Sequence, residues 1–342
     1  MSDKRILVTG AGGYIGTTLV PMLLEKGYAV RTVDRFFFGE ELLLDHPKLE
    51  KVQEDTRFLT KDHFKGIDAV IDLAALSNDP SGELFQDQTW EINHRARVRA
   101  AELAKEAGVP RYILPSSCSI YGFLDPDVVA DETNVTNPLT TYAKANEKAE
   151  QGVLPLASDD FVVVVLRQAT VYGYSARMRF DLAINGMTYG AWKTGVLPLM
   201  RDGSQWRPMV HVADTAAAQC FMIEADEDKI NGEVFNVGSE ANNYQLGPLA
   251  ETVAATVPRE VKIDWYGDPD HRSYRVSFDK IESLGYRATR VAEDGVREIV
   301  EALNSGATDR TTETITLEWY QTLMNWHQRI RQLELHGGML RL

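Results

Sequence analysis

The two side chains in this sequence best placed for acid–base chemistry are Ser117 and Tyr142. Arg111-Tyr112-Ile113-Leu114-Pro115-Ser116-Ser117 reads as a buried strand with Ser117 at its carboxyl end, and the next helix begins near Thr140 and carries Tyr142 on its first turn. In an alternating strand–helix fold, strand ends and helix starts face one crevice. The two hydroxyls can then converge on one substrate oxygen and pass a proton to or from it. Either residue alone is what any buried serine or tyrosine looks like.

A ligand for that crevice is written at the start of the chain. Arg5-Ile6-Leu7-Val8 reads as a buried parallel strand and Tyr14 to Lys26 as the helix packed on it, with Thr9-Gly10-Ala11-Gly12-Gly13-Tyr14-Ile15-Gly16 between. Gly10 suits a tight turn, Gly13 a close approach to a pyrophosphate, and Gly16 close packing of helix on strand, with the helix N-terminus facing the anion. The second strand, Ala29 to Val33, ends in Asp34, eighteen residues after Gly16, where a carboxylate accepts ribose hydroxyls and repels a 2′-phosphate. The cofactor read from these residues is NAD rather than NADP.

Further strands follow at Leu49–Gln53, Asp68–Ala75 (with its turn), Arg111–Ser117 and Phe161–Arg167, and a long helix is expected over Glu83–Ala107. The alternation predicts an α/β, Rossmann-type doubly wound parallel sheet whose ligands lie beyond the strands' carboxyl ends. The aromatic loop Phe36-Phe37-Phe38 fits core packing or stacking on a base, and Asp55 fits a contact to the adenine amine or a helix cap. Beyond residue 172 the pattern loosens. We expect a dinucleotide-binding domain over 1–172, with later segments at about 205–240 returning to it, a smaller interleaved substrate lobe over 173–310, and a C-terminal helix (Ile315 to Leu333) and frayed tail over 311–342.

The net charge of −14 argues against nucleic-acid and anionic-membrane partners, so any phosphate site must be local. Cys118 and Cys220 have no metal or disulfide spacing. With no apolar signal core and no long apolar run, a cytoplasmic protein is expected.

Taken together, Thr9-Gly-x-x-Gly-x-x-Gly16, Asp34, Asp55, Leu73-Ala74-Ala75, Ser116-Ser117-Cys118-Ser119-Ile120-Tyr121-Gly122, Tyr142, Arg167 to Gly173, Arg207 to Asp214 and Phe235-Asn236-Val237-Gly238 resemble the extended short-chain dehydrogenase/reductases of the NAD-dependent nucleotide-sugar epimerase/dehydratase family, from about residue 4 to 300. The resemblance implies that Tyr142, as phenolate, removes a proton from a sugar hydroxyl while hydride passes to NAD, and that Ser117 bonds the same oxygen. It implies cofactor contacts from Gly10, Gly13, Tyr14, Ile15, Gly16, Asp34, Asp55, Thr56, Leu73, Ala74, Ala75 and Asn93, the last through backbone support. Asn185, Arg207, Arg272 and Arg275 would anchor a nucleotide-diphosphate sugar, arginine offering phosphate a bidentate fork. His94 and His211 read as capping or packing residues. A homodimer is implied through the helices holding Glu83–Ala107 and Thr140–Leu156.

Two departures stand out. The family pattern Tyr-x-x-x-Lys is here Tyr142-Ala143-Lys144-Ala145-Asn146, and an amide can keep a ribose hydrogen bond while supplying no charge. Lys144, two residues from Tyr142, points to another face of the helix. Three readings stay open: use of the oxidised nicotinamide's own charge, weakened chemistry that leaves a binding protein, and an engineered substitution. The second departure is at Cys118 and Ser119, where 4,6-dehydratases carry Asp and Glu. That favours an epimerase, acting at C4, over a dehydratase or keto-sugar reductase, with Cys118 conceivable as an acid–base group but better read as packed.

Overall fold

The computed structural model describes residues 4–125, 127–200, 203–267 and 273–335. Its centre is a seven-stranded parallel sheet of β1 (Arg5–Thr9), β2 (Ala29–Asp34), β3 (Leu49–Gln53), β4 (Ala69–Asp72), β5 (Arg111–Ser117), β6 (Val162–Gln168) and β7 (Glu233–Val237), in the order β7-β6-β5-β4-β1-β2-β3. The strand order reverses between β1 and β4, which opens the ligand crevice at the carboxyl ends. Every residue of β6 is buried, as expected of a β-branched run covered on both faces.

The helices that matter are α1 (Gly16–Glu25), α2 (Arg97–Glu106), α3 (Thr141–Val153), α4 (Ala183–Thr194), α5 (Val212–Glu224), α6 (Ala292–Ser305) and α7 (Thr316–Leu333). One apolar layer holds Leu19, Leu23, Ala216 and Met222 of α1 and α5 against Ile6, Ile71 and Val164. The other holds Ala100, Ala104, Ala149 and Val153 of α2 and α3 against Leu7, Tyr112 and Val163. Three layers therefore fix the crevice from both sides.

The expected single helix over Glu83–Ala107 is in fact four pieces. Asp79–Leu84 and Gln86–Trp90 break at Phe85, which has φ −121° and ψ 55°, and a π-helical turn, Glu91–Ala96, leads into α2. The π-helical turn carries Asn93, whose side chain clamps the backbone of Leu76 at both N–H (2.8 Å) and carbonyl (3.0 Å). Apolar periodicity carries no trace of such a register change.

Outside the main sheet, Trp206–His211 pairs in parallel with Thr170–Tyr172 and antiparallel with Asn243–Gln245, and Lys262–Tyr266 pairs with Val196–Met200. With α4, α6 and the helix Leu246–Thr256 these enclose a separate apolar cluster built on Ile184, Leu197, Leu249 and Val296. The C-terminal helix runs as the sequence suggests, and its start folds back over the crevice. The expected frayed end at Gly337-Gly338-Met339 lies outside the described residues. Among the described residues no helix is long and apolar enough to cross a membrane.

Candidate active site

A cavity of about 960 Å³ runs from the glycine turn to the end of β5. At one end the β1–α1 turn needs its glycines. Gly10 has φ +65°, and a Cβ there would lie 2.7 Å from the backbone nitrogen of Ala74; one on Gly16 would lie 2.4 Å from the carbonyl oxygen of Ala11. Gly13, Ile15, Leu73, Ala74, Ala75 and Thr56 all line the cavity.

Asp34 faces the same wall, its carboxylate accepting the N–H of Gly12 (2.9 Å) and of Phe36 (2.6 Å). Burial raises its pKa, and those backbone donors oppose the shift. Asp55 also lines the cavity, but both its oxygens are engaged by Arg57 (2.6 and 2.9 Å) and one by Arg35 (3.0 Å), and it caps the turn that follows. Its bond to Arg57 holds the carboxyl below the usual range. The capping reading is thus met, and an adenine contact has only the remaining lone pairs to use.

At the other end, Thr140 caps α3 by accepting the Ala143 N–H, which orients the first turn and points Tyr142 into the cavity beside Ser117. Burial raises the Tyr142 pKa, while a hydrogen bond to Ser117 and the charge of Arg97 pull it down. Ser119 reaches the same wall with a buried hydroxyl that has no hydrogen-bond partner among the described residues. Cys118 does not line the cavity: it is fully buried, its thiol donates to the carbonyl of Arg167 at 3.2 Å, and burial pushes its pKa up, as for a packed thiol.

Four other expected site residues are structural. Asn146 is buried off the cavity wall, its carbonyl taken by Arg97 (2.9 Å) and an amide hydrogen by the Tyr142 carbonyl (3.0 Å), so both ends of its amide are held by the protein. Asn185 is fully buried and spends its polar atoms on Gly173 N–H (3.0 Å), the Tyr14 hydroxyl (3.0 Å) and the Arg179 carbonyl (2.9 Å). It ties α4 to the β1–α1 turn rather than holding a substrate. Tyr14 lies along the cavity, but its hydroxyl is committed to the Gly173 carbonyl at 2.6 Å. Asn93 acts only through Leu76, as above.

Arg207 is on the wall, over the Tyr274 ring, whereas Arg275 stacks on Trp206 away from it. Arg272 lies outside the described residues. His211 bonds Glu298 (2.8 Å) and caps α5, and His94 packs edge-on against Trp90. Lys144 is exposed, as its position on α3 requires.

The sequence reading did not place Arg177, Arg179 or the C-terminal helix α7 at the site. Arg177 is buried on the cavity wall, its backbone N–H within 3.4 Å of Thr17 in the first turn of α1, one Nη donating to Thr316 and its Nε without a protein partner. Burial and the neighbouring Arg179 charge disfavour its charged form. Arg179 is held by Asp181 and Ser77. Tyr320 of α7 packs on Phe37, Phe38 and Phe85, and Trp319 donates to the Phe37 carbonyl at 2.6 Å, roofing the aromatic loop. The signal available was Arg177-x-Arg179-x-Asp181, separated from Tyr172-Gly173 by three residues.

A glycine turn that a Cβ would obstruct, a carboxylate at the end of β2 and a buried guanidinium beside a helix N-terminus, stacked on Phe38 and bonded to Thr316 with its Nε left over, fit a dinucleotide with an anionic pyrophosphate. Fold and site together define a Rossmann-type dinucleotide-binding protein with a tyrosine and a serine side by side at the far end of its cavity. The chain belongs to the NAD-dependent epimerase/dehydratase family, whose sequence profile matches residues 6–238. It is 25% identical over 312 residues to a putative UDP-glucose 4-epimerase of Methanocaldococcus jannaschii, covering 86% of this chain and 97% of that protein. It is 27% identical to a UDP-N-acetyl-alpha-D-glucosaminuronate decarboxylase of Bacillus cytotoxicus, covering 85% and 91%. The solved structure of MoeE5 in complex with UDP-glucuronic acid and NAD superposes with a TM-score of 0.78 at 27% identity, covering 89% of this chain and all of that one. The cofactor is NAD, in agreement with Asp34.

Proposed function

We propose that this protein is a nucleotide-sugar 4-epimerase, acting on a UDP-linked hexose or uronate through a transient ketone at C4. The observation that carries this reading is the pairing of Tyr142 with Ser117 at the end of the cavity away from Asp34, with no carboxylate at positions 118 and 119. NAD, when bound, supplies the hydride acceptor and donor. Gly10, Gly13, Asp34 and Arg177 would hold it. Tyr142 Oη takes the proton of the sugar hydroxyl and later returns it, and Ser117 Oγ holds the same oxygen in line. A buried thiol at Cys118 and a neutral hydroxyl at Ser119 leave no acid–base pair for expelling water, which supports epimerisation over elimination.

The test is proton NMR in D2O of the protein with NAD and UDP-, dTDP-, GDP- or CDP-linked sugars. A C4 epimer without solvent deuterium is expected. Deuterium beside a carbonyl, or release of CO2 from a uronate, would instead give a dehydratase or decarboxylase. A homodimer through the Asp79–Glu106 helices and α3 belongs to the same proposal, and a monomer at micromolar concentration in sedimentation would refute it.

A further inference from the structure

Arg97 opens α2 with its guanidinium buried at the carboxyl ends of two neighbouring strands. Nη2 donates to the carbonyls of Asp72 (2.6 Å, β4) and Pro115 (2.5 Å, β5), and Nη1 donates to Oδ1 of Asn146 at 2.9 Å. Asn146 Nδ2 in turn donates to the Tyr142 carbonyl at 3.0 Å. The guanidinium is thus linked through one amide to the turn that carries the phenol. Its carboxylate neighbour, Asp72, meets the Nε edge at 3.6 Å, outside hydrogen-bond range, and already accepts the hydroxyls of Thr9 and Tyr112. Asp72 and Asn146 therefore take different edges of the guanidinium.

A neutral donor could fasten two strand ends. A buried guanidinium instead needs a carboxylate beside it, and Asp72 supplies that partner while leaving both Nη groups to the strand ends and Asn146. The groups around the phenol are Ser117 from β5, Arg97 from α2, Asp79 from the helix Asp79–Leu84, and Arg179 from the segment before α4. Asp79 opposes ionisation of Tyr142, Arg97 and Arg179 favour it, and Arg97 has the greater effect of the two. Arg179 is already held bidentately by Asp181. No lysine lines the cavity among the described residues.

We propose that Arg97 is the cation of the Tyr142 site, seated on the neighbouring helix and joined to the tyrosine's own turn by Asn146. The charge has moved between helices rather than been lost, and Asn146 is the adaptor that receives it. This makes Arg97 a positioning and charge-supplying residue, and it rests on the reading of Tyr142 as the base.

The test places 3-fluorotyrosine at position 142 of the full chain and follows its ionisation by 19F chemical shift, with and without NAD. Arg97→Gln, which keeps a donor for Asn146 and removes the charge, is expected to raise the midpoint by about one unit or more, the effect of losing a nearby opposite charge. That is a tenfold loss of phenolate at fixed pH. Arg97→Gln/Asn146→Lys, which returns a cation to α3, is expected to bring the midpoint back to within about half a unit of the starting protein. An unchanged midpoint in Arg97→Gln, or no recovery in the double variant, overturns the proposal.

If Arg97→Gln does not fold, the comparison is made between Asp72→Asn and Asp72→Asn/Arg97→Gln, which removes the buried charges together and leaves neither unpaired. The proposal expects the same upward shift between those two, and equal midpoints overturn it. The base reading is tested separately by Tyr142→Phe. Turnover retained by that variant would remove the base reading while the midpoint shifts still decide the cation.

Discussion

Asn185 is the position where resemblance and structure predict opposite phenotypes. A substrate anchor replaced by alanine loses affinity and keeps its fold. Asn185→Ala here removes the acceptor of the Gly173 N–H and the donor to the Arg179 carbonyl, both buried, while Tyr14 keeps its own bond to the Gly173 carbonyl. Orphaning a buried backbone group costs about 1–3 kcal/mol, so two give about 2–6, and we take roughly 3 kcal/mol as the expected loss. That is about two decades in the folding equilibrium, a large share of a typical 5–15 kcal/mol stability. With a urea m-value near 3 kcal/mol/M, the midpoint should fall by about 1 M. Urea unfolding followed by far-UV circular dichroism, beside calorimetric titration of UDP into the folded protein, separates the two roles. The structure predicts the lower midpoint with UDP affinity within about threefold of the parent. An unchanged midpoint with a tenfold weaker UDP complex would refute the reasoning.

Three further outcomes follow from the geometry. Gly10→Ala, with positive φ and a Cβ 2.7 Å from Ala74 N, should abolish measurable NAD binding by calorimetry before it abolishes folding, since the backbone that must shift is the cofactor wall. Arg177→Met should weaken NAD binding at least about tenfold and change the thermal midpoint of the NAD-free protein little, because relief of a buried charge offsets the lost Thr316 bond and Phe38 stacking. Unaltered NAD affinity would exclude Arg177 from the pyrophosphate site. Asp181 is a pH marker: burial alone would raise its carboxyl, but the Arg179 charge and hydrogen bonds outweigh that and hold it down at about 2. A carboxyl depressed in the folded state stabilises above its unfolded value near 4 and loses that contribution as pH falls toward 2. Unfolding profiles of Asp181→Asn should therefore be flatter than the parent's over that window and converge with it at the acid end.

Much of the fold was legible because parallel sheets leave strong local marks. The apolar run Val162 to Leu166, the Gly10–Gly16 turn and Asp34 each occupy the place that periodicity and spacing assign. The cavity wall beside β1 and β2 was legible for the same reason, since its residues sit in turns next to strands. The failures share a different cause. Asn185 and Tyr14 have the right residue types at the right positions, but their side chains bond to each other across 171 residues, which no local pattern encodes. The π-helical turn before α2 and the Arg97–Asn146 bond depend on a register shift inside a run that reads as plain helix. Tyr320 reaches the aromatic loop only because α7 returns across the crevice, a contact between opposite ends of the chain.

The most direct test of the central claim follows hydrogen at one carbon. UDP-glucose and UDP-glucuronate carrying deuterium at C4 are incubated in ordinary water with the NAD-loaded protein and with its Tyr142→Phe variant, and products are read by NMR and mass spectrometry. The account predicts a C4 epimer that retains its deuterium, from the parent protein alone. Loss of the label to solvent, a product altered at C5 or C6, or equal turnover by Tyr142→Phe would contradict it.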